Sequence, residues 1–125
     1  GGVKKTFAGR EYVFVDGGMA DNPRYALYKA KYEAMLANKM NEQADTTYTV
    51  AGKCCESGDM LVMDAKLPKA EQGDLLLVSS TGAYNYSMSS NYNRLPKLSV
   101  VFVKDGTSRL VVKGETLEDL IRQDI

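Results

Sequence analysis

Short apolar runs between turn residues dominate the pattern of hydrophobic and polar positions, and they predict a chain made mainly of strands. Residues 12–15 are aromatic and β-branched and stop at Asp-Gly-Gly, as a strand does before a tight turn. Residues 46–51 and 60–65 have strong β character and flank a polar loop. Residues 75–79 follow Gly-Asp as a short apolar run, which predicts a buried strand.

The C-terminal third carries the clearest hairpin pattern in the chain. Residues 98–104 and 109–113 are joined through Asp105-Gly106, a dipeptide that favours the positive φ angles of a tight hairpin turn. Thr116 is placed to cap a final helix. The apolar positions of that helix recur at helical spacing: Leu117, Leu120 and Ile121.

A short helix is also predicted near the N-terminus. Asn22 is a good N-cap residue, and Pro23 suits the first helical position because its missing N–H would have no partner there. This helix places Arg24 and Tyr28 four residues apart, on one face.

The secondary structure of two stretches is less clear from the pattern. The composition of residues 30–38 favours a helix, whereas their position between two other elements suits a strand, which we favour. Residues 81–91 are rich in small and hydroxyl side chains and predict a short helix. Taken together, the pattern predicts a single domain over residues 1–125, mainly β, with short helices and a barrel or closed Greek-key-like sandwich.

Composition and charge narrow the classes of function. The 125 residues suit one soluble domain, and sixteen basic residues balance sixteen acidic ones. We therefore expect neither nucleic acid nor a membrane surface as a partner. No apolar run reaches the roughly 18–20 residues that cross a bilayer, and no signal-peptide pattern opens the chain. Because histidine is absent, Ser-His-Asp triads and most zinc sites are excluded, and we predict no metal site.

The two cysteines are adjacent and lie in the polar loop Gly-Lys-Cys-Cys-Glu-Ser-Gly-Asp, residues 52–59, called here the cysteine loop. A bridge between Cys54 and Cys55 would close a strained ring, so we predict two free thiols and a reducing, cytoplasmic setting. Cys55 beside Glu56 would offer a proton donor and an anion in one small space. The alternative is two structural cysteines in a polar turn.

Two further groups have side chains suited to a ligand. Arg24 with Tyr28 could clamp a carboxylate through bidentate guanidinium hydrogen bonds, although an exposed Arg lying over a half-buried Tyr has the same pattern. Tyr84 lies in Gly-Ala-Tyr-Asn-Tyr-Ser, where a Gly-containing turn before a helix suits a phosphate or a flat aromatic ligand. The spacing there matches neither a P-loop nor a dinucleotide fingerprint.

Four ordered segments together resemble the C-terminal domain of the diaminopimelate decarboxylase family. They are residues 15–28 (Val-Asp-Gly-Gly-Met-Ala-Asp-Asn-Pro-Arg through Tyr28), the cysteine loop, residues 81–93 (Thr-Gly-Ala-Tyr-Asn-Tyr onward) and residues 109–120. The resemblance spans nearly the whole chain, and chance agreement over four segments in one order is far less expected than any single match. Two positions depart from the family pattern. Tyr25 stands where a smaller residue or Pro is usual, and Cys54 precedes the motif cysteine, so we interpret Cys54 as structural.

The resemblance implies a pyridoxal-phosphate enzyme of two domains that converts meso-diaminopimelate to L-lysine and carbon dioxide. In this family an N-terminal barrel holds the cofactor on a lysine, the C-terminal β domain completes the site, and active sites lie at a homodimer interface. The cofactor lysine, the phosphate-binding glycine loop and a further substrate arginine belong to that barrel and have no counterpart in these residues. Because the chain opens Gly-Gly-Val, we expect a domain excised from a longer protein, although removal of Met before Gly would give the same start.

The resemblance also implies a role for each candidate residue. Arg24 and Tyr28 would bind the distal carboxylate of the substrate, and Glu56 would lie against its distal ammonium. Cys55 would donate a proton to the carbanion left after decarboxylation, in the site of the neighbouring subunit. Tyr84 would contact both cofactor and substrate.

Two rival interpretations stay open. A related decarboxylase of the same fold could act on arginine, ornithine or carboxynorspermidine, but a substrate with one carboxylate would not need Arg24 and Tyr28 as a distal clamp. The other rival is a β module that binds a partner and catalyses nothing.

Overall fold

The structure is a computed structural model, and it describes residues 1–5 and 8–125. Strands predominate among these residues. They are β1 (Gly2–Lys5), β2 (Glu11–Phe14), β3 (Ala34–Leu36), β4 (Thr46–Ala51), β5 (Met60–Leu67), β6 (Leu76–Val78), β7 (Val100–Lys104) and β8 (Thr107–Val112). The helices are α1 (Arg24–Tyr28), α2 (Asn85–Met88) and α3 (Leu117–Ile121), with 3₁₀ turns at Ala37–Lys39 and Tyr92–Arg94.

Within residues 1–5 and 8–125 the strands form three separate sheets. The largest has the order β1-β2-β4-β5, in which β2 and β4 run parallel and the other neighbours antiparallel. The second sheet pairs β3 with β6, and the third is the β7–β8 hairpin. The predicted mainly β fold is therefore confirmed.

The predicted closure into a barrel is wrong for the part of the chain that the structure describes. Closure requires the two edge strands of a sheet to find partners. Here the edge strands β1 and β5 pair with neither each other nor the hairpin, and β3 and β6 are three-residue strands that pair only with each other. The bulges that interrupt the β4–β5 register bend that strand pair without closing the sheet.

The hydrophobic core lies between the four-stranded sheet and the β3–β6 pair. Leu67 and Val50 are fully buried, and Leu36 contributes from β3. Burying an aliphatic side chain of this size contributes about 1.5–3 kcal/mol. The hydroxyl of the buried Tyr48 accepts a hydrogen bond from the Ala70 N–H at 3.0 Å, so its polar atom has a partner inside the core.

Most predicted elements are present with shifted ends. The strand over residues 46–51 has the predicted bounds, and the ambiguous stretch 30–38 contains β3, as we favoured, followed by a 3₁₀ turn. The hairpin turn is confirmed, because Asp105 and Gly106 have φ angles of 51° and 74°.

The predicted helices are present but shorter or displaced by a residue. The side chain of Thr116 accepts a hydrogen bond from the Asp119 N–H and caps α3 as predicted. In α1 the capping position falls on Pro23, one residue later than predicted, although the Asn22 side chain still accepts from the Arg24 N–H at 3.3 Å. The helix predicted within residues 81–91 is reduced to α2.

Among the described residues, no helix has the length and apolar composition that crossing a membrane requires.

Candidate active site

The carboxyl ends of the parallel strands β2 and β4 position the candidate site. Both strands end at the same edge of the sheet, so the loops that follow them must run side by side. The pairing continues past the strand ends, where the Val15 N–H donates to the Ala51 carbonyl at 3.0 Å. One step further, the Lys53 N–H donates to the Gly17 carbonyl at 3.0 Å. The beginning of segment 15–28 is thereby joined to the cysteine loop.

The Asp59 carboxylate connects these two loops from inside. Its side chain is buried, and its two oxygens accept from the Met19 N–H at 2.6 Å and from the Cys54 N–H at 2.7 Å. Hydrogen bonds to an ionised carboxylate are about twice as strong as neutral ones. The residue that ends the cysteine loop therefore fixes its own loop and the loop after β2 at the same time.

Two glycines allow this close approach. A Cβ on Gly52 would overlap the Asp59 carboxylate, and a Cβ on Gly18 would lie 2.8 Å from the Cys54 sulfur. No larger residue fits either position unless the loops separate. Glycines in these two loops are therefore required by packing.

The two cysteines differ in environment. Cys54 is buried, and burial, with a smaller contribution from nearby Asp59, raises the pKa of its thiol. Cys55 is exposed and its backbone is left-handed, with φ at 53°. Both thiols are free, so Cys55 is the thiol that a ligand outside the domain can reach.

Glu56 is exposed beside Cys55 and is held within its own loop. Its Oε1 accepts from the Ser57 hydroxyl at 3.2 Å and from the Gly58 N–H at 3.2 Å. The Asp59 N–H donates to the Glu56 carbonyl at 2.9 Å, which closes the turn. The carboxylate is thus held on the exposed turn that follows Cys55.

Arg24 contacts two phenol rings. Its guanidinium carbon is 5.6 Å from the centre of the Tyr28 ring and 4.8 Å from that of Tyr84, and one guanidinium nitrogen contacts the Met88 sulfur at 3.7 Å. The four-residue spacing within α1 accounts for the first contact, as predicted, and the second brings in residues 81–93. The Tyr84 backbone also has a positive φ, 72°, and its side chain is 65% exposed.

Residues 81–93 contact both other segments. The Asn93 side chain donates to the Cys54 carbonyl at 2.5 Å, and the Ser90 N–H donates to the Ala20 carbonyl at 2.9 Å. Three stretches that are far apart in sequence therefore converge at one edge of the sheet. Within this region the predicted site residues form two groups. One is Arg24 with the rings of Tyr28 and Tyr84, and the other is the exposed pair Cys55 and Glu56 on the cysteine loop.

Asp59 and Asn93 are the residues that the sequence analysis left without a role. Both lie within the segments that resemble the family. Asp59 follows Ser-Gly at the end of the cysteine loop, and Asn93 ends the polar stretch of residues 81–93. Such residues are common in turns, which gave no reason to expect that their side chains bond across segments. Asn93 has a left-handed backbone, with φ at 59°, and Asn is among the residues that tolerate this conformation.

The arrangement offers a cation beside two aromatic rings, together with an exposed thiol and an exposed carboxylate. A guanidinium that contacts aromatic rings can still bind a carboxylate through its N–H groups. The Tyr84 ring could lie against a flat aromatic cofactor. Among the described residues there is no group of three or more His, Cys, Asp or Glu side chains that could hold a metal ion.

The chain is similar to known proteins over most or all of its length. Residues 2–82 match the family described as "Pyridoxal-dependent decarboxylase, C-terminal sheet domain". The diaminopimelate decarboxylase of Bacillus subtilis (strain 168) is 57% identical over 125 residues, which is 100% of this chain and 28% of that protein. The diaminopimelate decarboxylase of Bacillus methanolicus is 64% identical over 104 residues, covering 83% of this chain and 24% of the relative.

A solved structure gives the same result in three dimensions. The crystal structure of the M. jannaschii diaminopimelate decarboxylase in co-complex with L-lysine has a TM-score of 0.89 and 35% sequence identity. The match covers 98% of this chain and 28% of that one. The chain thus spans less than a third of the length of the proteins that it resembles.

Proposed function

Since the chain belongs to the family of pyridoxal-dependent decarboxylases, as a C-terminal sheet domain, we propose that it completes the active site of a diaminopimelate decarboxylase. The complete enzyme would convert meso-diaminopimelate to L-lysine and carbon dioxide. The family match confirms the resemblance seen in the sequence. The observation that carries the proposal is the convergence of segment 15–28, the cysteine loop and residues 81–93 at one edge of the sheet.

The distal end of the substrate is a zwitterion, and the chain offers a group of each charge. The Arg24 guanidinium, which contacts the rings of Tyr28 and Tyr84, would bind the distal carboxylate through its N–H groups. Glu56, held in its turn by Ser57 and Gly58, would bind the distal ammonium. A site with one fixed cation and one fixed anion discriminates against amines that lack the second carboxylate.

Cys55 would supply the proton. After carbon dioxide leaves, the α-carbon takes a proton from the thiol, the S–H bond breaks as the C–H bond forms, and solvent reprotonates the sulfur. The exposure of Cys55 is consistent with a donor that acts on a substrate held by another part of the enzyme.

Pyridoxal phosphate supplies the electron sink for this chemistry. In our proposal its lysine and phosphate-binding loop lie in an N-terminal barrel of the same polypeptide, outside residues 1–125. This chain would contribute the Tyr84 ring, which is exposed and flat and so suited to lie against the cofactor or substrate.

The exposed apolar surface supports a covering barrel and a second subunit. Leu98, Phe102, Val103 and Leu110 are each more than half exposed, and a groove lined in part by Phe14 runs beside β7. Surfaces of this kind mark interaction sites. We propose a homodimer in the cytoplasm, where the free thiols of the chain would stay reduced.

The test is made in the complete enzyme with Cys55→Ala and Glu56→Ala. We expect Cys55→Ala to lower kcat about 10²- to 10⁴-fold, the range for a lost acid–base group, with cofactor loading unchanged. Glu56→Ala should strongly lower the turnover rate and raise the KM for meso-diaminopimelate, because the variant lacks the fixed anion that would face the substrate ammonium. Steady-state lysine formation and the cofactor absorbance measure both effects.

Lys53→Ala is the control, since Lys53 is exposed in the same loop and has no assigned role. A parallel panel with arginine, ornithine and carboxynorspermidine should show turnover of meso-diaminopimelate alone. Wild-type turnover in both site variants would remove the roles of Cys55 and Glu56. Preference for another substrate would identify the complete enzyme as a related decarboxylase instead.

A further inference from the structure

Two side chains hold the peptide groups on either side of Cys54. The Cys54 N–H donates to an oxygen of the buried Asp59 carboxylate at 2.7 Å. The Cys54 carbonyl accepts from the Asn93 amide at 2.5 Å. Because that carbonyl belongs to the peptide joining Cys54 to Cys55, the Asn93 side chain fixes the plane from which Cys55 begins.

Cys55 needs such support, since its φ of 53° is a conformation that residues with a side chain rarely adopt. The turn that follows is closed by the hydrogen bond from the Asp59 N–H to the Glu56 carbonyl at 2.9 Å. Strained backbone persists only where the surroundings determine it, and such positions cluster at functional sites. Here the surroundings of Cys55 are the Asn93 and Asp59 side chains on one side and the closed turn on the other.

Asp59 also fixes the position of the loop in the domain. Its second oxygen accepts from the Met19 N–H at 2.6 Å, so both oxygens are used by backbone donors from two different loops. An amide in place of the carboxylate has only one acceptor oxygen, and its NH₂ group would face an N–H. Asp59 and Asn93 together are called here the Cys54 clamp. This clamp requires a carboxylate at position 59 and an amide donor at position 93.

We propose that Asn93 and Asp59 are positioning residues that aim the Cys55 thiol at the carbon to be protonated. The inference rests on the proposed function, because it assigns the clamp to the proton donor of that reaction. A displacement of about 1 Å at a reacting group can lower a rate about 100-fold, so a clamp of this kind controls the rate without contacting substrate.

The decisive variant is Asn93→Gly in the complete enzyme. Glycine adopts the left-handed backbone found at position 93, so the change removes the amide donor without straining the turn. We expect kcat for lysine formation to fall about 10- to 100-fold with KM for meso-diaminopimelate unchanged. Carbon dioxide released should exceed lysine formed, because without an aimed donor part of the carbanion would be protonated at the conjugated carbon of the cofactor instead of the α-carbon. Water would then release an aldehyde in place of lysine and leave the cofactor as its amine. Asp59→Asn should change the same quantities in the same direction.

Asn38→Gly is the matched control. The Asn38 amide also bonds across segments, to the Asp74 carboxylate at 2.8 Å, but it lies in the 3₁₀ turn after β3 and outside the converging segments. This variant should keep the wild-type ratio of carbon dioxide to lysine. Hydrogen–deuterium exchange gives a readout independent of turnover, in which residues 52–59 should exchange faster in Asn93→Gly than in Asn38→Gly.

The outcomes separate this inference from the proposed function. If the wild-type enzyme forms no lysine, the proposed function fails, and exchange alone decides whether the clamp exists. If the wild type is active and Asn93→Gly keeps both its kcat and its product ratio, the positioning role is wrong. The positioning role is also wrong if activity falls only in proportion to the amount of folded, cofactor-loaded enzyme while the ratio of carbon dioxide to lysine stays unchanged.

Discussion

At the scale of single residues, two of the proposed site residues have a positive φ angle. Cys55 and Tyr84 have φ angles of 53° and 72°, and both were singled out from the sequence for chemical reasons unrelated to backbone geometry. A left-handed conformation costs a residue with a side chain about 1–2 kcal/mol. The fold therefore keeps Cys55 in this conformation at some expense of stability, as is common where a site needs a side chain at a fixed angle.

This strain predicts the order of stability of two variants that both lack the thiol. Cys55→Gly relieves the left-handed strain, whereas Cys55→Ala keeps it. We expect the glycine variant to be more stable to urea by about 1 kcal/mol, after the larger chain entropy of unfolded glycine is taken into account. Equilibrium urea unfolding of the 125-residue chain measures the difference. An alanine variant that is equally stable or more stable would contradict the assigned strain.

The same scale shows what the sequence can predict of the site. The contact between Arg24 and Tyr28 follows from a four-residue spacing in a helix, and it is present. The bond from Asn93 to Cys54 joins residues 39 positions apart, and no local pattern could have indicated it. Local periodicity predicts neighbours within an element, while contacts between loops depend on how distant strands come to lie side by side.

At the scale of elements, a small polar cluster connects the region after β3 to the turn before β6. The Asp74 carboxylate lies 2.8 Å from the Lys39 ammonium and also accepts from the Asn38 amide and the Glu71 N–H. The hydrogen bond from Lys39, followed by those from Asn38 and Glu71, lowers the pKa of Asp74 to about 2. Strands of three residues need such additional connections, because few ladder bonds hold them.

The lowered pKa predicts an acid-dependent loss of stability. Asp74 titrates near its ordinary value of 3.8 in the unfolded chain and at about 2 in the folded one, so between these values the unfolded chain binds more protons. The contribution of Asp74 is therefore present above about pH 4 and is lost as the pH falls toward 2. Thermal unfolding from pH 2 to 5 should show a smaller fall in Tm for Asp74→Asn than for the wild type. Parallel curves for the two proteins would contradict this assignment.

Strands and turns of ordinary length were predictable from the sequence, whereas the way in which the strands assemble into sheets was not. The strand over residues 46–51 and the hairpin turn at Asp105-Gly106 are present as predicted, because β-branched runs and turn dipeptides act locally. The separation into three sheets depends on which strand edges meet, and edge pairing leaves no trace in a single sequence. A pattern of strands with short helices is compatible with both closed and open arrangements, which is why the predicted closure was wrong.

At the scale of the whole molecule, the domain exposes apolar side chains of the kind that mark an interaction surface. Apolar side chains of the β7–β8 hairpin and of α3 are exposed: Phe102, Val103, Leu110, Leu117 and Ile121. The relatives that the chain matches are more than three times as long, since it covers 28% of the Bacillus subtilis protein. The proposed site residues are likewise at the surface, where a second body would complete the site.

The most direct test of this account mixes two inactive forms of the complete enzyme, the Cys55→Ala variant and a variant that lacks the cofactor lysine of the barrel. If Cys55 acts in the site of the neighbouring subunit, a mixed dimer has one intact site, with its barrel from the first variant and its thiol from the second. Half of the dimers formed at random are mixed, so lysine formation should recover to about a quarter of the wild-type rate. Native mass spectrometry would verify that mixed dimers form. Mixed dimers as inactive as the separate variants would contradict the proposal that this chain supplies its thiol across the dimer interface.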